Sequence, residues 1–567
     1  MNQTRSLLAF ALLFVAYLIW NQWQADYRTP PPAAPAPAAT TATETAGSSS
    51  AATPAVPAAS GTPAPVVPAA PAATAPAAAR QLVTVTTDVL RLAIDTEGGS
   101  LVRADLLKYP VKPKDMQHPV RLLDGSPERY FVAQNGLVSA NAPAPDHRAT
   151  FVAEQSAYAL APGQQQLVVT LTWHDPAGLT VKKRYTFERG SYVIKLAQEI
   201  DNGGTQAWSG NAYRQLVRVP PPEPAKHFLE FYNPERISYK GAAWYGPEKK
   251  FQKLPFGKFV KEPLNAEAAG GWVAMLQHYF FAAWIPNEGE TSRFGSALLD
   301  EQGTQRYLVR SLGPTLTVAP GASATSEARL YVGPELQSTL DSVAPGLSLV
   351  VDYGVFTVIA QPLHWVLAHL HLLVGNWGLA IILLVLLIKA VFFKLSEAQF
   401  KAGAKMRKLS PRIQALKERY GDDKQKMQQA MMELYQKEKV NPLAGCLPTL
   451  VQIPVFFALY YVLMYSVELR QAPFFGWIQD LAAPDPYFVL PVLYTLVMIA
   501  TQYLTPTVGM DPTQAKLMKV MPIVFAVMFA FFPAGLTLYY VVNGLTSVIQ
   551  QWVITRRIEA GDAKAKA

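Results

Sequence analysis

A single lysine interrupts an apolar run of nearly membrane-spanning length. The run NWGLAIILLVLLIKAVFF extends from Asn376 to Phe393, and Lys389 is its one ionisable side chain. A charge inside such a segment costs roughly 3 kcal/mol, so it is rarely without a role. Lys389 lies only four residues before Phe393. Its position therefore leaves two interpretations open: a polar groove between helices, or a long stem that extends to the nearby membrane interface.

Polar side chains also follow one face of two other apolar segments. In the last apolar segment they recur at helical spacing: Thr537, Tyr540, Gly544, Ser547 and Gln551, with Asn543 beside this stripe. In an earlier segment, Thr449 and Gln452 lie three residues apart and share a helical face. Polar faces near a lysine predict a hydrated groove within the bilayer. The alternative is that these side chains only join helix to helix, at less than about 2 kcal/mol per hydrogen bond.

The sequence contains no pattern that indicates covalent catalysis, nucleotide binding or a metal site. HExxH, GxSxG and phosphate-loop motifs are absent. Cys446 is the only cysteine, which excludes intramolecular disulfides and thiolate metal sites. His364, His369 and His371 do not share one helical face, and the other histidines stand alone. We therefore predict no enzyme activity, no catalytic residue, no metal and no cofactor.

The charge of the chain is placed beside its apolar segments. Half of the 567 residues are hydrophobic, 16% are charged, and the formal net charge is +9. The apolar residues are concentrated in the last third, and much of the basic excess lies next to them. This pattern favours anionic lipid, the ribosome or a nascent chain as partners, and gives no indication of sequence-specific nucleic-acid binding.

The first 80 residues predict an anchor followed by a tether. Residues 1–28 contain Arg5 and the apolar run Leu7–Trp20, which exits through bulky Trp and Gln residues. That ending favours an uncleaved transmembrane anchor with a cytoplasmic N-terminus over a cleaved signal peptide. Residues 29–80 are almost entirely Pro, Ala, Thr and Ser, so we expect a disordered linker.

Residues 81–337 predict an all-β domain. Apolar and polar residues alternate over Leu90–Ile94 and Leu167–Trp173, and turns rich in Gly, Pro and Asn separate such runs. Regular short strands are typical of a β-sandwich. A domain that follows an N-in anchor lies in the periplasm; a carbohydrate- or peptide-binding cleft there stays possible. Residues 338–375 predict an amphipathic helix in the outer interface.

Residues 376–555 predict a membrane core with five spanning helices. The segments are Trp377–Phe393, Pro442–Tyr465, Tyr487–Thr505, Val520–Phe532 and Leu536–Ile554. The basic stretch 394–440 and the basic tail 556–567 belong on the cytoplasmic side, because short loops rich in Lys and Arg stay inside.

The stretch 394–440 predicts a cytoplasmic helical hairpin. Ser410-Pro411 should begin its first helix, and Gly421-Asp422-Asp423 should form the turn and cap the second. The side chains we expect to meet a partner are Arg412, Lys417, Arg419, Met427 and Met431. Methionines suit a surface that accepts varied apolar partners. The simpler interpretation is a two-helix hairpin with a solvated outer face.

These segments resemble the YidC family of bacterial membrane protein insertases. The resemblance covers Asp352–Arg557 and rests on GNWGLAIILLVLLIKAVFFKLSEAQ, the hairpin with the following VNPLAGCLPTLVQIPVFFALYYVL, SVELRQAPFFGWIQDL, and FFPAGLTLYYVVNGLTSVIQQ. It implies a hydrophilic groove open to the cytoplasm, and a periplasmic β-supersandwich. Lys389 stands where the family usually has Arg, which keeps the charge but loses the planar fork. Tyr540 and Gln452 match groove positions, whereas Val385 replaces a threonine that the family often has.

The resemblance implies an insertase and chaperone of the inner membrane. It would move transmembrane segments and short hydrophilic tails of nascent membrane proteins from the cytoplasm through the groove, alone or with the Sec translocon. Two alternatives come from other classes: a small-solute or ion transporter, and a periplasmic receptor. We see no internal repeat between the helices, which weighs against a transporter.

Overall fold

The computed structural model describes residues 81–140, 142–222, 236, 238–301, 303–421, 423–438, 447–504 and 512–566. Within these ranges, side chains are described except at 301, 407, 417, 424, 447–449, 512–519 and 559–566. The predicted anchor and linker lie outside the described residues.

The described residues between 82 and 334 contain the strands of the predicted β region. They are β1 Leu82–Thr86, β2 Leu90–Asp95, β3 Ser100–Pro110, β4 Pro119–Asp124, β5 Phe131–Val138, β6 Val152–Ala153, β7 Ala157–Ala159, β8 Gln166–His174, β9 Leu179–Glu188, β10 Val193–Asn202, β11 Trp208–Arg218, β12 Gly241–Gly246, β13 Lys250–Pro255, β14 Asn265–Ala269, β15 Trp272–Gln277, β16 Phe280–Pro286, β17 Thr291–Glu301, β18 Thr304–Val318 and β19 Ser323–Pro334. The alternating runs that predicted strands at 90–94 and 167–173 lie in β2 and β8.

The strands build two large sheets that pack face to face. One sheet has the order β14-β17-β18-β11-β5-β4-β3-β2-β1-β7, and the other β13-β12-β15-β16-β19-β10-β9-β8-β6. Almost all neighbours are antiparallel; β1 and β7 are parallel. Trp284 of β16 donates its indole N–H to the Gln215 carbonyl of β11 at 3.1 Å, across the two sheets. The expected all-β sandwich is confirmed.

Helices follow the sandwich. They are α1 Gln337–Val343, α2 Thr357–Val374, α3 Trp377–Val391, α4 Phe393–Tyr420, α5 Lys424–Lys437, α6 Leu447–Tyr465, α7 Val489–Leu504, α8 Pro512–Phe529 and α9 Ala534–Lys566. In the described part of the chain, one continuous helical stretch, Gly354–Val374, is by itself long and apolar enough to cross a membrane. The pair α3 and Phe393–Met406 meets the same criterion jointly, with a bend of 68° between them. Shorter apolar helices are Leu450–Tyr465, Val489–Leu504 and Val520–Phe529.

One predicted helix start is wrong. Pro411 lies inside α4, which runs unbroken from Phe393 to Tyr420. Good helix formers on both sides of Pro411 sustain the helix despite a local cost of about 3 kcal/mol. The apolar segment predicted at Val520–Phe532 lies mostly in α8, which begins earlier, at Pro512, and whose apolar part is Val520–Phe529.

The predicted hairpin turn is confirmed at its second helix. The Asp423 side chain accepts a hydrogen bond from the Lys426 backbone N–H at 3.0 Å and caps α5. This bond and the neighbouring Lys426 ammonium hold the pKa of Asp423 below its ordinary value. The cap therefore stays ionised at neutral pH.

The segment between α6 and α7 closes one end of the helices and joins them to the β domain. Arg470 and Gln471 both donate side-chain hydrogen bonds to the Pro110 carbonyl, at 2.9 and 2.8 Å. Gly535, at the start of α9, donates its N–H to the Leu481 carbonyl at 2.8 Å. Asp485 is buried and accepts the Leu490 N–H at 2.8 Å and the Trp477 indole N–H at 2.9 Å. This end of the helices is tightly packed.

Candidate functional site

Lys389 points inward from the last turn of α3. Its side chain is only 8% exposed, and Nζ donates to Ser547 Oγ of α9 at 2.7 Å. Ser547 Oγ in turn donates to the Asn543 carbonyl at 2.8 Å. The asparagine cap that begins α3, Asn376 accepting the Leu379 N–H, fixes the start of this helix. A short polar chain thus links α3 to α9 at the position of the buried ammonium.

An open depression of about 500 Å³ adjoins this lysine. Its walls come from α3, the start of α4, and α9: Leu386, Lys389, Ala390, Phe393, Thr546, Ile549 and Gln550. The lining is mostly apolar, with the Lys389, Thr546 and Gln550 side chains as its polar points. An apolar segment can pack in this depression while a polar group reaches the ammonium.

Sequence reasoning missed Thr546 and Gln550 in this lining. Thr546 donates its hydroxyl to the Val542 carbonyl at 2.7 Å, so it covers its own helix backbone. Gln550 lies three residues after Ser547, a spacing that could have drawn attention to it.

The polar stripe of α9 divides between two neighbouring helices. Ser547 contacts α3, whereas Gln551 donates to the Leu504 carbonyl of α7 at 2.9 Å. Gly544 also meets α7, where a Cβ would lie 2.6 Å from Val497 Cγ1. Thr537 is buried and donates to the Pro533 carbonyl at 3.1 Å. Much of the stripe therefore serves helix packing. We call the linked residues Lys389, Ser547 and Asn543 the polar centre.

Tyr540 lies in an aromatic cluster that brings α6, α7, α8 and α9 together. Its ring centroid lies 4.5 Å from Phe529, 5.1 Å from Phe456 and 5.4 Å from Tyr494. Tyr460, one turn further along α6, contacts Phe532, which lies two residues before α9 begins, so α6 and α9 run antiparallel.

Gln452 lies one helical turn before Phe456 on α6. In the antiparallel arrangement this places Gln452 at the level of the α9 turn that carries Asn543 and Ser547. Gln452 is half-buried. The backbone of Thr449 is in α6, but its side chain lies outside those that the structure describes.

The hairpin packs its methionines partly inward. Leu409 and Ile413 of α4 are buried against Met406, Met431, Leu434 and Tyr435. Arg412 Nη1 forms an ion pair with Glu438 Oε1 at 2.5 Å, which joins the two helices. Arg419 is exposed and Met427 is half-buried, whereas the Lys417 side chain lies outside those described. Met432, which sequence reasoning overlooked, is the exposed methionine next to Met431.

Among the described residues, no group of three or more His, Cys, Asp or Glu side chains could hold a metal ion.

Comparisons with known proteins decide the family. A family model described as the YidC periplasmic domain matches residues 82–366, and one described as 60Kd inner membrane protein matches residues 369–562. The membrane protein insertase YidC of Stenotrophomonas maltophilia (strain R551-3) is 48% identical over 565 residues, covering 98% of this chain and 97% of its own. The chain belongs to the YidC family of membrane protein insertases.

Other relatives extend the match over the whole chain. The membrane protein insertase YidC of Thioalkalivibrio sulfidiphilus is 44% identical over 574 residues and covers 100% of both chains. A crystal structure of an active YidC insertase with its first transmembrane domain resolved is 19% identical, covers 83% of this chain and 92% of its own, and has a TM-score of 0.37. The predictions of family, insertase function and inner-membrane location are confirmed.

Proposed function

We propose that this insertase moves the hydrophilic tails of nascent membrane proteins past the polar centre formed by Lys389, Ser547 and Asn543. The observation that carries this proposal is the inward Lys389 ammonium beside an open, mostly apolar depression. The ammonium attracts acidic tail residues, and the hydroxyl and carbonyl around it take the place of some of the water that a polar tail loses. No covalent step and no nucleotide is required.

The apolar part of the substrate supplies the driving force. Each CH₂ group that leaves water contributes about 0.8 kcal/mol, so a spanning segment gains far more than a short tail costs. We propose that this segment packs in the depression and leaves into lipid beside α6 and α9, near Gln452, Thr449, Tyr540 and Thr537.

The proposed topology has an anchor and five spanning helices, α3 and α6 to α9. Both termini and the α4–α5 hairpin lie in the cytoplasm, and the β-sandwich lies in the periplasm. The tightly packed segment between α6 and α7 supports closure on the periplasmic side. The hairpin receives the nascent chain first, through Arg412, Lys417, Arg419, Met427 and Met431. The ribosome, the Sec translocon and anionic lipids on the cytoplasmic side are further proposed partners.

The test compares three substitutions of one residue during insertion of a small membrane protein with an acidic tail. We expect Lys389→Arg to insert normally, Lys389→Ala to insert less, and Lys389→Glu to insert least, because Arg keeps the positive charge, Ala removes it and Glu reverses it. Lys394→Ala is the matched control, since Lys394 is exposed five residues further along the same apolar-to-basic boundary. Equal insertion by all three Lys389 variants would remove the charge from the mechanism.

A further inference from the structure

A strongly basic cavity of about 400 Å³ lies where the β-sandwich meets the segment after α6. Its charged lining residues are Arg121, Arg129, Arg218, Lys240, Arg470 and Asp124. Asp124 is the one carboxylate among the described residues of this lining, and it lies 3.7 Å from Arg121, whose closer partner is the buried Asp105 at 2.9 Å. The cavity therefore has a surplus of positive charge.

Arg218 is the most informative of these residues, because it is buried and no carboxylate among the described residues pairs with it. It is 3% exposed, and its ring partner Phe131 lies 4.3 Å from the guanidinium carbon. Nη2 donates to Gln277 Oε1 at 2.9 Å, and Nε donates to the Val219 carbonyl at 3.3 Å. Within the described parts of the chain, Nη1 has no hydrogen-bond partner. A buried guanidinium with a free donor in a cavity wall fits an anion.

The groups around Arg218 also favour the binding of an anion. His278 is buried in the cavity wall, and burial, followed by the charges of Lys240 and Arg470, lowers its pKa to about 3. Burial lowers the pKa of Arg218 to about 9, so its guanidinium is still charged at neutral pH. An anion that enters this cavity meets fixed cations and a neutral imidazole.

The position of the cavity indicates where the anion comes from. Arg470 follows the short 3-10 turn after α6 and donates to the carbonyl of Pro110, where the loop of the β3–β4 hairpin begins. That loop exposes Val111, Met116 and two lysines, Lys112 and Lys114. Exposed apolar side chains among lysines are typical of a surface that contacts anionic membrane.

We propose that this cavity binds the phosphate group of an anionic phospholipid from the outer leaflet of the inner membrane. The Arg218 guanidinium offers its free N–H to a phosphate oxygen, Arg129 and Lys240 lie around it, and the acyl chains extend past Val111 to the bilayer. Arginine suits a phosphate because its planar fork matches the oxygen geometry. The placement rests on the proposed topology, in which this face of the protein is periplasmic.

The test measures lipid binding to the full chain in detergent by native mass spectrometry, with phosphatidylglycerol or phosphatidylcholine added at equal concentration. We expect phosphatidylglycerol to bind preferentially, and Arg218→Gln and Arg129→Gln each to weaken its binding by about tenfold. Because Arg129 is exposed, Arg129→Gln should fold and still test lipid binding if Arg218→Gln fails to fold. Arg91→Gln, an exposed arginine of β2 outside the cavity, is the matched control and should bind as the parent does.

Competitors identify the source of the anion. Glycerol 3-phosphate should displace the lipid only at concentrations far above that of phosphatidylglycerol. Equal binding of the two lipids, or unchanged binding by Arg129→Gln, would overturn the proposal. If inorganic phosphate or an acidic peptide binds at this site and phosphatidylglycerol does not, the proposal is also overturned. Because no insertion is measured, failure of the Lys389 experiment and failure of this one are distinguishable.

Discussion

Two regions of the molecule each bury a lysine, and they treat it differently. In the β-sandwich, Lys183 Nζ donates to the Gly98 and Asn135 carbonyls at 2.7 and 2.8 Å and lies 4.5 Å from the Phe151 ring centroid. In the helical core, Lys389 Nζ donates to one hydroxyl among the described side chains and borders an open depression. The first lysine joins the two sheets. Lys389 has N–H donors that the described residues do not use, so it can bind an acidic side chain of a substrate.

The contrast extends to how the two regions are built. The sandwich pairs several of its buried charged groups with its own residues: Arg214 donates to Glu290 at 2.8 Å and to Ser326 at 2.7 Å. The helical core concentrates its closure at one end, in the segment around Asp485, and leaves the Lys389 end less enclosed. We infer that the sandwich is organised for stability and the core for passage.

The largest expected effect comes from removing the satisfied lysine. Lys183→Met should destabilise the sandwich by about 3 kcal/mol, because two buried carbonyls lose their donor. Thermal unfolding followed by the β-sheet circular dichroism signal measures this change. Lys389→Met is the matched control and should leave the unfolding midpoint nearly unchanged; equal destabilisation by both would erase the contrast.

The next effect depends on pH and lies in the sandwich. His278 has a folded pKa of about 3, below its unfolded value near 6.5. Between these values the unfolded chain binds the proton and the folded chain does not, so stability falls as pH drops below 6.5. At pH 5 the loss amounts to about 2 kcal/mol. His278→Phe should therefore lose less stability between pH 7.5 and pH 5 than the parent, as measured by chemical unfolding at both values. A parallel loss would show that other groups account for the acid sensitivity.

A charge exchange sharpens the role of the core lysine. Lys389→Glu should reduce insertion of an acidic-tail substrate by about tenfold, and the same variant should insert a basic-tail substrate better than the parent does. Protease protection of the translocated tail measures both. If Lys389→Glu disfavours both tails equally, the residue acts through packing and not through charge.

The smallest effect concerns the hairpin. Asp423→Ala removes the cap of α5, which contributes about 1 kcal/mol. Hydrogen exchange of the first-turn amides at 425–427 should become about fivefold faster, with no change at the sandwich. Glu433→Ala, an exposed change in the middle of α5, should leave these amides as they were.

Local patterns explain what was predictable in the fold. The alternation of apolar and polar residues at 167–173 and 90–94 predicted β8 and β2, because the periodicity of a strand depends on residues adjacent in the sequence. The cap at Asp423 was predictable for the same reason. The prediction that a helix begins at Pro411 was wrong, because whether a proline begins a helix or lies within one depends on the surrounding residues and on packing.

The candidate site was predictable only as a set of side chains. The spacing of the α9 stripe showed which residues share a helical face, but not which neighbouring helix each residue contacts. Ser547 contacts α3 while Gly544 and Gln551 contact α7. Whether Lys389 points inward likewise depends on the position of α9, which residues adjacent in the sequence do not determine.

The most direct test of the account is whether water reaches the polar centre from the cytoplasm. Ser547→Cys, made in a Cys446→Ala background, is exposed to a membrane-impermeant maleimide in inverted membrane vesicles. We predict that this cysteine is modified, whereas Leu545→Cys, on an outward-facing position of the same helix, is not. An unmodified Ser547→Cys in an insertion-competent protein would contradict a hydrated path to Lys389.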